Sequence, residues 1–262
     1  MDVLFLFLIA LGLSLAMIAA WAVQRRTGAS GWIDTIWSFA VGIGGIVAIV
    51  IADGTQERRL AAFLLVAVWS IRLGSHIGSR TKGGGEDPRY AKLVEEWGDN
   101  ASKRLFLFLQ IQALAGFILV LAIYLAAFST ASFPHSLDLI AVVIGLVAIA
   151  GEALSDRQLA RFRKKPEART EVCEEGLWRY SRHPNYFFEW LYWCSWPLLA
   201  LTGPSPFAWA ALLAPALMYW LLVHASGIPP LEEHMLRSRG EKFRALQRRV
   251  NAFFPGPRKE EA

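Results

Sequence analysis

The chain has 262 residues, of which 55% are hydrophobic, and it carries a formal net charge of +5 at pH 7. A composition this apolar is typical of an integral membrane protein and excludes an ordinary water-soluble domain. Because no soluble basic domain accompanies the positive charge, the sequence also argues against nucleic-acid binding.

Long apolar stretches recur along the chain. A transmembrane helix needs about 20 mainly apolar residues, and seven stretches approach that length, so the sequence predicts an all-α, polytopic membrane protein with about seven transmembrane helices. The sixth stretch is short and contains Glu189 and Pro197, which indicates a low or tilted helix. The stretches are 3–23, 31–52, 60–79, 105–128, 137–154, 187–201 and 206–223.

The basic residues predict the orientation of these helices. Of the 27 Lys and Arg residues, 24 fall in four segments, 24–30, 80–104, 155–186 and 224–262. Cytoplasmic loops of membrane proteins carry such an excess. We therefore expect the amino terminus outside the membrane and the carboxyl terminus in the cytoplasm.

The two cysteines give no sign of a disulfide or of a metal site. Cys173 falls in a predicted cytoplasmic loop and Cys194 in the sixth apolar stretch, so we expect no disulfide between them. The spacing of Cys and His residues does not match a zinc site, and we expect no metal.

Charged residues continue along the fifth predicted helix past its apolar part. Glu152, Asp156 and Arg163 lie four and seven residues apart, which places them on one face, and Arg161 lies on an adjacent face. Asp156 and Arg163 are alternatively solvated charges beyond the membrane. Glu152 still lies at hydrocarbon depth, where a carboxylate needs a partner.

The run GLWRYSRHPNYFFE at 176–189 concentrates polar chemistry at the start of the sixth helix. If that helix begins near Pro184, Asn185 and Glu189 share a face, and their hydrogen-bonding groups suit a carboxamide or ribose hydroxyls. The cations suit phosphates and the tyrosines suit a flat ring, although such residues also occur simply as membrane-border residues. These further residues are Arg179, Tyr180, Arg182, His183 and Tyr186.

Two cytoplasmic segments complete the predicted elements. Residues 80–104 contain three consecutive glycines and then a short helix through Trp97. Residues 231–250 predict one amphipathic helix, which either lies on the membrane surface or takes part in ligand binding.

Three segments carry a family resemblance: LSD at 154–156, RFRKKP at 161–166, and GLWRYSRHPNY at 176–186 with Glu189. They resemble the steroid 5-alpha-reductase family, and most closely its bacterial branch, labelled domain of unknown function 1295. The resemblance is strong over 145–262. It implies a membrane reductase, in a bacterial inner membrane, that binds NADPH from the cytoplasm. Hydride would then pass to a carbon–carbon double bond conjugated to a carbonyl in a lipid-like substrate.

The resemblance also implies a division of labour and a set of site residues. Residues 1–128 would form the substrate side with helices one to four, and residues 129–262 the NADPH-binding region with helices five to seven and the tail. With the charged and aromatic residues above, the predicted NADPH site comprises Arg89, Tyr90, Glu152, Asp156, Arg161, Arg163, Arg179, Tyr180, Arg182, His183, Asn185, Tyr186, Glu189, Glu232 and Glu233.

The catalytic residues are where the chain departs from the steroid enzymes. Those enzymes carry a Gln-Glu pair in the second helix and a Tyr in the third, whereas this chain has Asp34-Thr35 and Trp69 there. Asp34 is the predicted catalytic residue that polarises the substrate carbonyl if it is protonated, with Tyr90 or a water as the proton source. Asp34 is alternatively a helix-start residue near Ser30.

Two other functions remain open. The pattern RHPxY at 182–186, followed by Glu232-Glu233, is shared with membrane methyltransferases that use S-adenosylmethionine. The missing Gln-Glu pair and Tyr also leave room for a non-catalytic lipid-binding protein. The expected partners are a lipid-like substrate and membrane lipid, with no nucleic acid and no obligate protein partner.

Overall fold

The computed structural model describes residues 3–84, 87–203 and 205–259, and this part of the chain contains helices and no strand. The predicted all-α fold is therefore confirmed. The helices are α1 (Val3–Thr27), α2 (Gly31–Ile51), α3 (Gln56–Lys82), α4 (Pro88–Trp97), α5 (Ala101–Phe128), α6 (Ser136–Phe162), α7 (Pro184–Ala200), α8 (Leu213–Trp220), α9 (Ile228–Arg239) and α10 (Glu241–Arg249).

Six helical stretches of the described residues are long and apolar enough to cross a membrane. They are α1, α2, α3, Arg89–Phe128, α6 and Pro206–Arg239. The sixth predicted stretch, 187–201, corresponds to α7, which has 17 residues and is the short element that its sequence indicated. Large apolar side chains such as Phe7, Ile43 and Leu114 are exposed on these helices, as expected of surfaces that face lipid. The chain is a multi-pass membrane protein.

The chain divides into two compact units. Unit 1 contains the described residues of Met1–Val143 and Cys194–Ala214, and unit 2 those of Ile144–Trp193 and Pro215–Ala262. The two units are defined by how closely their residues pack and not by function. The functional division expected at residue 128 stays a prediction.

Small residues bring the helices of unit 1 together. In this unit α2 packs against α1, α3 and α5. A Cβ atom on Gly42 would lie 2.1 Å from Ser70 Oγ, and one on Gly31 would lie 2.1 Å from Thr81 Oγ1, so only glycine permits these approaches to α3. Close backbone packing of this kind is the usual way in which helices associate in a membrane.

A buried ion pair joins the beginnings of α3 and α6. Arg58 Nη2 donates to Asp138 Oδ2 at 2.9 Å and Nη1 donates to the Leu199 carbonyl at 3.0 Å. Both charged side chains are fully buried, so each needs the other. The pair stabilises unit 1.

In unit 2, α6 and α7 contact closely and the tail is divided. A Cβ atom on Gly151 of α6 would lie 2.4 Å from the ring of Phe188, so the missing side chain makes room for α7. The prediction of one helix over 231–250 is wrong. Gly240 has φ +49°, a left-handed conformation that ends α9 before α10 begins.

Candidate functional site

The polar residues predicted on α6 and α7 meet in unit 2. Asn185 Nδ2 donates to Asp156 Oδ1 at 3.3 Å. The carboxylates of Glu152, Asp156 and Glu189 belong to residues that are only 4%, 8% and 6% exposed. Asp156 is therefore not a solvated charge, whereas Arg163 is exposed, as that alternative expected.

The start of α7 sets the geometry of Asn185 and Glu189. The helix begins at Pro184, as its sequence predicted, so the two side chains lie one turn apart on one face. Glu189 Oε1 accepts a hydrogen bond of 2.9 Å from Trp193 Nε1, one turn further on. A ligand at Glu189 would share this carboxylate with the indole.

The first part of the 176–189 run is held against α6. Leu177 N donates to Gln158 Oε1 at 2.9 Å, and Trp178 Nε1 donates to the Ser155 carbonyl at 2.9 Å. Gly176 has φ +57°, and a Cβ atom there would lie 2.2 Å from Gln158 Nε2. Gln158 is not among the predicted site residues, because nothing in the periodicity of α6 indicates that its side chain hydrogen-bonds to a later loop.

Arg182 and His183 bind the tail. Arg182 Nε and Nη2 donate to the two oxygens of Glu232 at 2.7 and 3.1 Å, and His183 Nε2 lies 3.1 Å from Glu232 Oε1. Gln247 Nε2 adds a bond of 2.7 Å to Glu232 Oε2. We call these four residues the tail clamp. They hold α9 and α10 to the segment that precedes α7.

Charge and burial fix the protonation of the tail clamp. Burial lowers the pKa of His183, so its imidazole is neutral at pH 7 and donates Nε2–H to Glu232. Glu232 accepts hydrogen bonds from Arg182, His183 and Gln247, which together surround both of its carboxylate oxygens.

The other predicted NADPH residues of unit 2 lie at its surface or beside the tail clamp. Tyr186 stacks on His183, with the ring centroids 5.7 Å apart, and Glu233 pairs with Arg237 across 2.6 Å. The exposed residues of the set are Arg161, Arg163, Arg179 and Tyr180.

A basic pocket lies at the end of α6. It encloses about 450 Å³ and is lined by Arg163, Lys164, Lys165, Pro166 and Arg169. Lys165 also pairs with Glu175. Four cations around one opening suit an anion with several oxygens, such as a phosphate.

Unit 1 contains a second polar cluster, built around Asp34. Tyr90 Oη donates to Asp34 Oδ1 at 2.7 Å, and Arg89 Nη2 donates to Asp34 Oδ2 at 2.5 Å. Gln112 Nε2 donates to Tyr90 Oη at 3.0 Å. Asp34 lies in the first turn of α2, as the alternative expected, and its carboxylate accepts from two residues of α4. We call these four residues the Asp34 network.

Asp87 extends the Asp34 network at the start of α4. Its Oδ1 accepts from the backbone N–H and the Nε of Arg89 at 3.0 and 2.9 Å, and its Oδ2 accepts from Arg80 at 3.1 Å. Burial alone would raise the pKa of Asp87, but the charge and hydrogen bonds of Arg89 outweigh it and lower that pKa. Two guanidinium groups and two carboxylates thus balance in unit 1.

The structure places the predicted residues in two groups. Arg89 and Tyr90, predicted to bind NADPH, lie with Asp34 in unit 1. The other predicted NADPH residues belong to unit 2. Trp69, which stands where the steroid enzymes have a Tyr, is fully buried in unit 1.

Residues 20–250 match the family described as "Protein of unknown function (DUF1295)". The chain belongs to this family. The match covers both the Asp34 network and the polar residues Glu152, Asp156, Asn185 and Glu189, which we call the α6–α7 cluster. No curated protein and no solved structure shows significant similarity to the chain. Among the described residues, no group of three or more His, Cys, Asp or Glu is arranged to hold a metal ion.

Proposed function

We propose that this protein is a membrane-embedded reductase that uses NADPH to reduce an activated carbon–carbon double bond in a lipid-like substrate. The observation that supports it is the succession of two kinds of side chain along α6. Asp156, bonded to Asn185, is followed seven residues later by Arg163 at the mouth of the basic pocket. Seven helical residues span about 10 Å along the axis. A dinucleotide needs both kinds of group, because it has hydroxyls and amides at one part and phosphates at another.

Each group of side chains takes a part of the cofactor in this proposal. The carboxylates of Glu152, Asp156 and Glu189 accept from ribose hydroxyls or the carboxamide NH₂, and Asn185 offers a donor and an acceptor. The four cations of the basic pocket take phosphate oxygens. NADPH has one more phosphate than NADH, so this charge favours NADPH.

The Asp34 network supplies the proton in this proposal. The nicotinamide supplies hydride when it is bound. Tyr90 carries the transferable proton of the network, and Gln112 Nε2–H stabilises the phenolate that remains when the proton leaves. Asp34 accepts from Arg89 and Tyr90, so we assign it to holding these side chains rather than to donating a hydrogen bond to a carbonyl.

The finer identity of the family is part of the same proposal. The resemblance to steroid 5-alpha-reductases supports a reductase of the bacterial inner membrane, with the amino terminus outside. The 24 basic residues of segments 24–30, 80–104, 155–186 and 224–262 support that orientation, because such residues stay in the cytoplasm. In this orientation the basic pocket faces the cytoplasm, where NADPH is present.

The motif shared with methyltransferases does not decide between the two enzyme classes. Arg182 and His183 bond to Glu232 and hold the tail, which is a role that either kind of enzyme can use. The choice depends instead on Asp156, Asn185 and Glu189, which follow the reductase pattern.

Titration of the purified full chain in lipid nanodiscs tests the proposal. NADPH, NADH and S-adenosylmethionine are added separately, and thermal unfolding and nicotinamide fluorescence are recorded. We expect binding of NADPH, weaker binding of NADH, and no response to S-adenosylmethionine. A response to S-adenosylmethionine alone would identify a methyltransferase, and silence with all three would favour a non-catalytic lipid-binding protein.

A further inference from the structure

One polar side-chain atom of Gln112 on α5 has no hydrogen-bond partner among the described residues. Gln112 Nε2 donates to Tyr90 Oη at 3.0 Å, and the backbone carbonyl of Gln112 accepts from Trp37 Nε1 at 3.0 Å. The remaining atom is Oε1, which is buried. A buried acceptor left without a donor is unfavourable, so this atom is a candidate acceptor for a donor group on a ligand.

The hydrogen bonds of Tyr90 fix which end of the Gln112 amide is left over. Tyr90 has one hydroxyl proton, and the shorter bond of 2.7 Å joins its oxygen to a carboxylate oxygen of Asp34. A bond to a charged acceptor is the stronger one, so in the resting protein the Tyr90 hydroxyl proton points to Asp34. The Tyr90 oxygen then accepts, and Gln112 must present its NH₂ group there. The carbonyl end is the one that awaits a donor.

The charged groups near Gln112 cancel one another, which favours a ligand with a neutral hydrogen-bond donor. Arg80 and Arg89 pair with Asp34 and Asp87, so two positive and two negative groups cancel. A cationic ligand would find no uncompensated carboxylate there, and burying an unpaired charge is costly. A neutral hydroxyl needs only the one acceptor.

The helix that carries Gln112 indicates what the rest of the ligand is made of. Gln112 lies in a membrane-spanning stretch, and its neighbours on α5 include buried Leu109, Ala113 and Gly116. A molecule that reaches this level of the helix has to be mostly apolar.

We propose that unit 1 binds a lipid-like alcohol whose hydroxyl group donates a hydrogen bond to Gln112 Oε1. Gln112 thereby distinguishes an alcohol from a ketone or ether of the same skeleton. This binding site does not depend on the reductase proposal, because it needs no nucleotide.

Matched probes test this site in the full chain, reconstituted in nanodiscs without nucleotide. The probes are cholestanol, its 3-methyl ether and cholestan-3-one, together with 1-dodecanol and its methyl ether. Tryptophan fluorescence and thermal unfolding report binding. We expect at least one alcohol to bind roughly fivefold tighter than its ether, since one neutral hydrogen bond contributes about 1 kcal/mol. We expect cholestanol to bind tighter than the ketone.

Two variants and one control assign the preference to Gln112. Gln112→Leu should remove the preference for alcohol and leave the affinity for the ethers unchanged, and Gln112→Met serves the same purpose if the first variant does not fold. Gln110→Leu removes an amide from the same helix, where Oε1 accepts from Ser14 at 2.6 Å, and should retain the preference. Equal binding of each alcohol and its ether by the parent, tighter binding of the ketone, or a preference that survives both Gln112 variants would overturn the proposal. None of these results bears on NADPH binding.

Discussion

The buried polar groups of unit 1 and unit 2 are balanced in different ways. In the Asp34 network and its neighbour Asp87, the carboxylates of Asp34 and Asp87 each lie within 3.1 Å of a guanidinium group. In the α6–α7 cluster, two of the three buried carboxylates accept from neutral groups, Asp156 from the Asn185 amide and Glu189 from the Trp193 indole. A balanced network suits a neutral ligand or a proton donor. A cluster rich in buried acceptors, next to exposed cations, suits a ligand that has both donors and phosphates.

In the proposed reaction Tyr90 of unit 1 donates the proton, and the substitution Tyr90→Phe has the largest expected effect. Removing the hydroxyl should lower the rate of NADPH oxidation in the presence of a 3-oxo-4-ene steroid by about 100-fold, because a general acid contributes roughly 10²–10⁴-fold. NADPH affinity should stay unchanged. The measurement is the loss of nicotinamide absorbance. Tyr219→Phe, a tyrosine of unit 2 that packs among Phe253 and Phe254, is the control. A Tyr90→Phe protein as fast as the parent would remove Tyr90 from the mechanism.

The substitution Asp34→Asn removes one of the two negative charges that balance Arg80 and Arg89 in unit 1. The change leaves two guanidinium groups against one carboxylate, so we expect the free energy of unfolding to fall by about 2 kcal/mol. The melting temperature should fall by roughly 5 °C, measured by thermal unfolding in detergent. Asp99→Asn, on an exposed turn, should leave the melting temperature within error. If Asp34→Asn melts with the parent, the network is not balanced in the way described.

The smallest effect concerns pH and the tail clamp of unit 2. Burial lowers the pKa of His183, so its neutral form holds the tail at neutral pH. This contribution is complete above the unfolded pKa of about 6.5 and is lost as pH falls below it. Proteolysis at Gly240 should therefore stay constant from pH 8 to 7 and accelerate at lower pH. Glu232→Gln should be cut faster at every pH, whereas Glu241→Gln, which is exposed on α10, should match the parent. A rate independent of pH would contradict these assignments.

The same comparison explains what the sequence could predict. Asp156 and Asn185 each belong to a helix whose apolar pattern predicts its face, and Pro184 marks where α7 begins, so the polar faces of α6 and α7 were predictable. The hydrogen bonds of the Asp34 network join residues 22 to 56 positions apart in the sequence. Helical periodicity fixes which face a residue occupies but not which helix lies opposite. The pairing of Asp34 with Tyr90 as catalytic residues therefore came from the family resemblance and not from the periodicity.

Two misses have local causes. Gln158 caps the loop at Leu177 through its side chain, and no spacing rule for α6 announces that bond. Gly240 did carry a signal, because glycine in the middle of an amphipathic pattern weakens a helix. The hydrophobic pattern on either side of it continued and masked the break.

The affinity of Asn185→Ala for NADPH tests the central claim most directly. Asn185 bonds to Asp156 in the α6–α7 cluster, and its loss should weaken NADPH binding roughly tenfold, which corresponds to about 1.4 kcal/mol. Asn100→Ala, an exposed asparagine of unit 1, is the matched control and should bind NADPH like the parent. A tenfold loss in the first variant alone is the predicted result. If folded Asn185→Ala protein binds NADPH as tightly as the parent, the polar faces of α6 and α7 are not a nucleotide site.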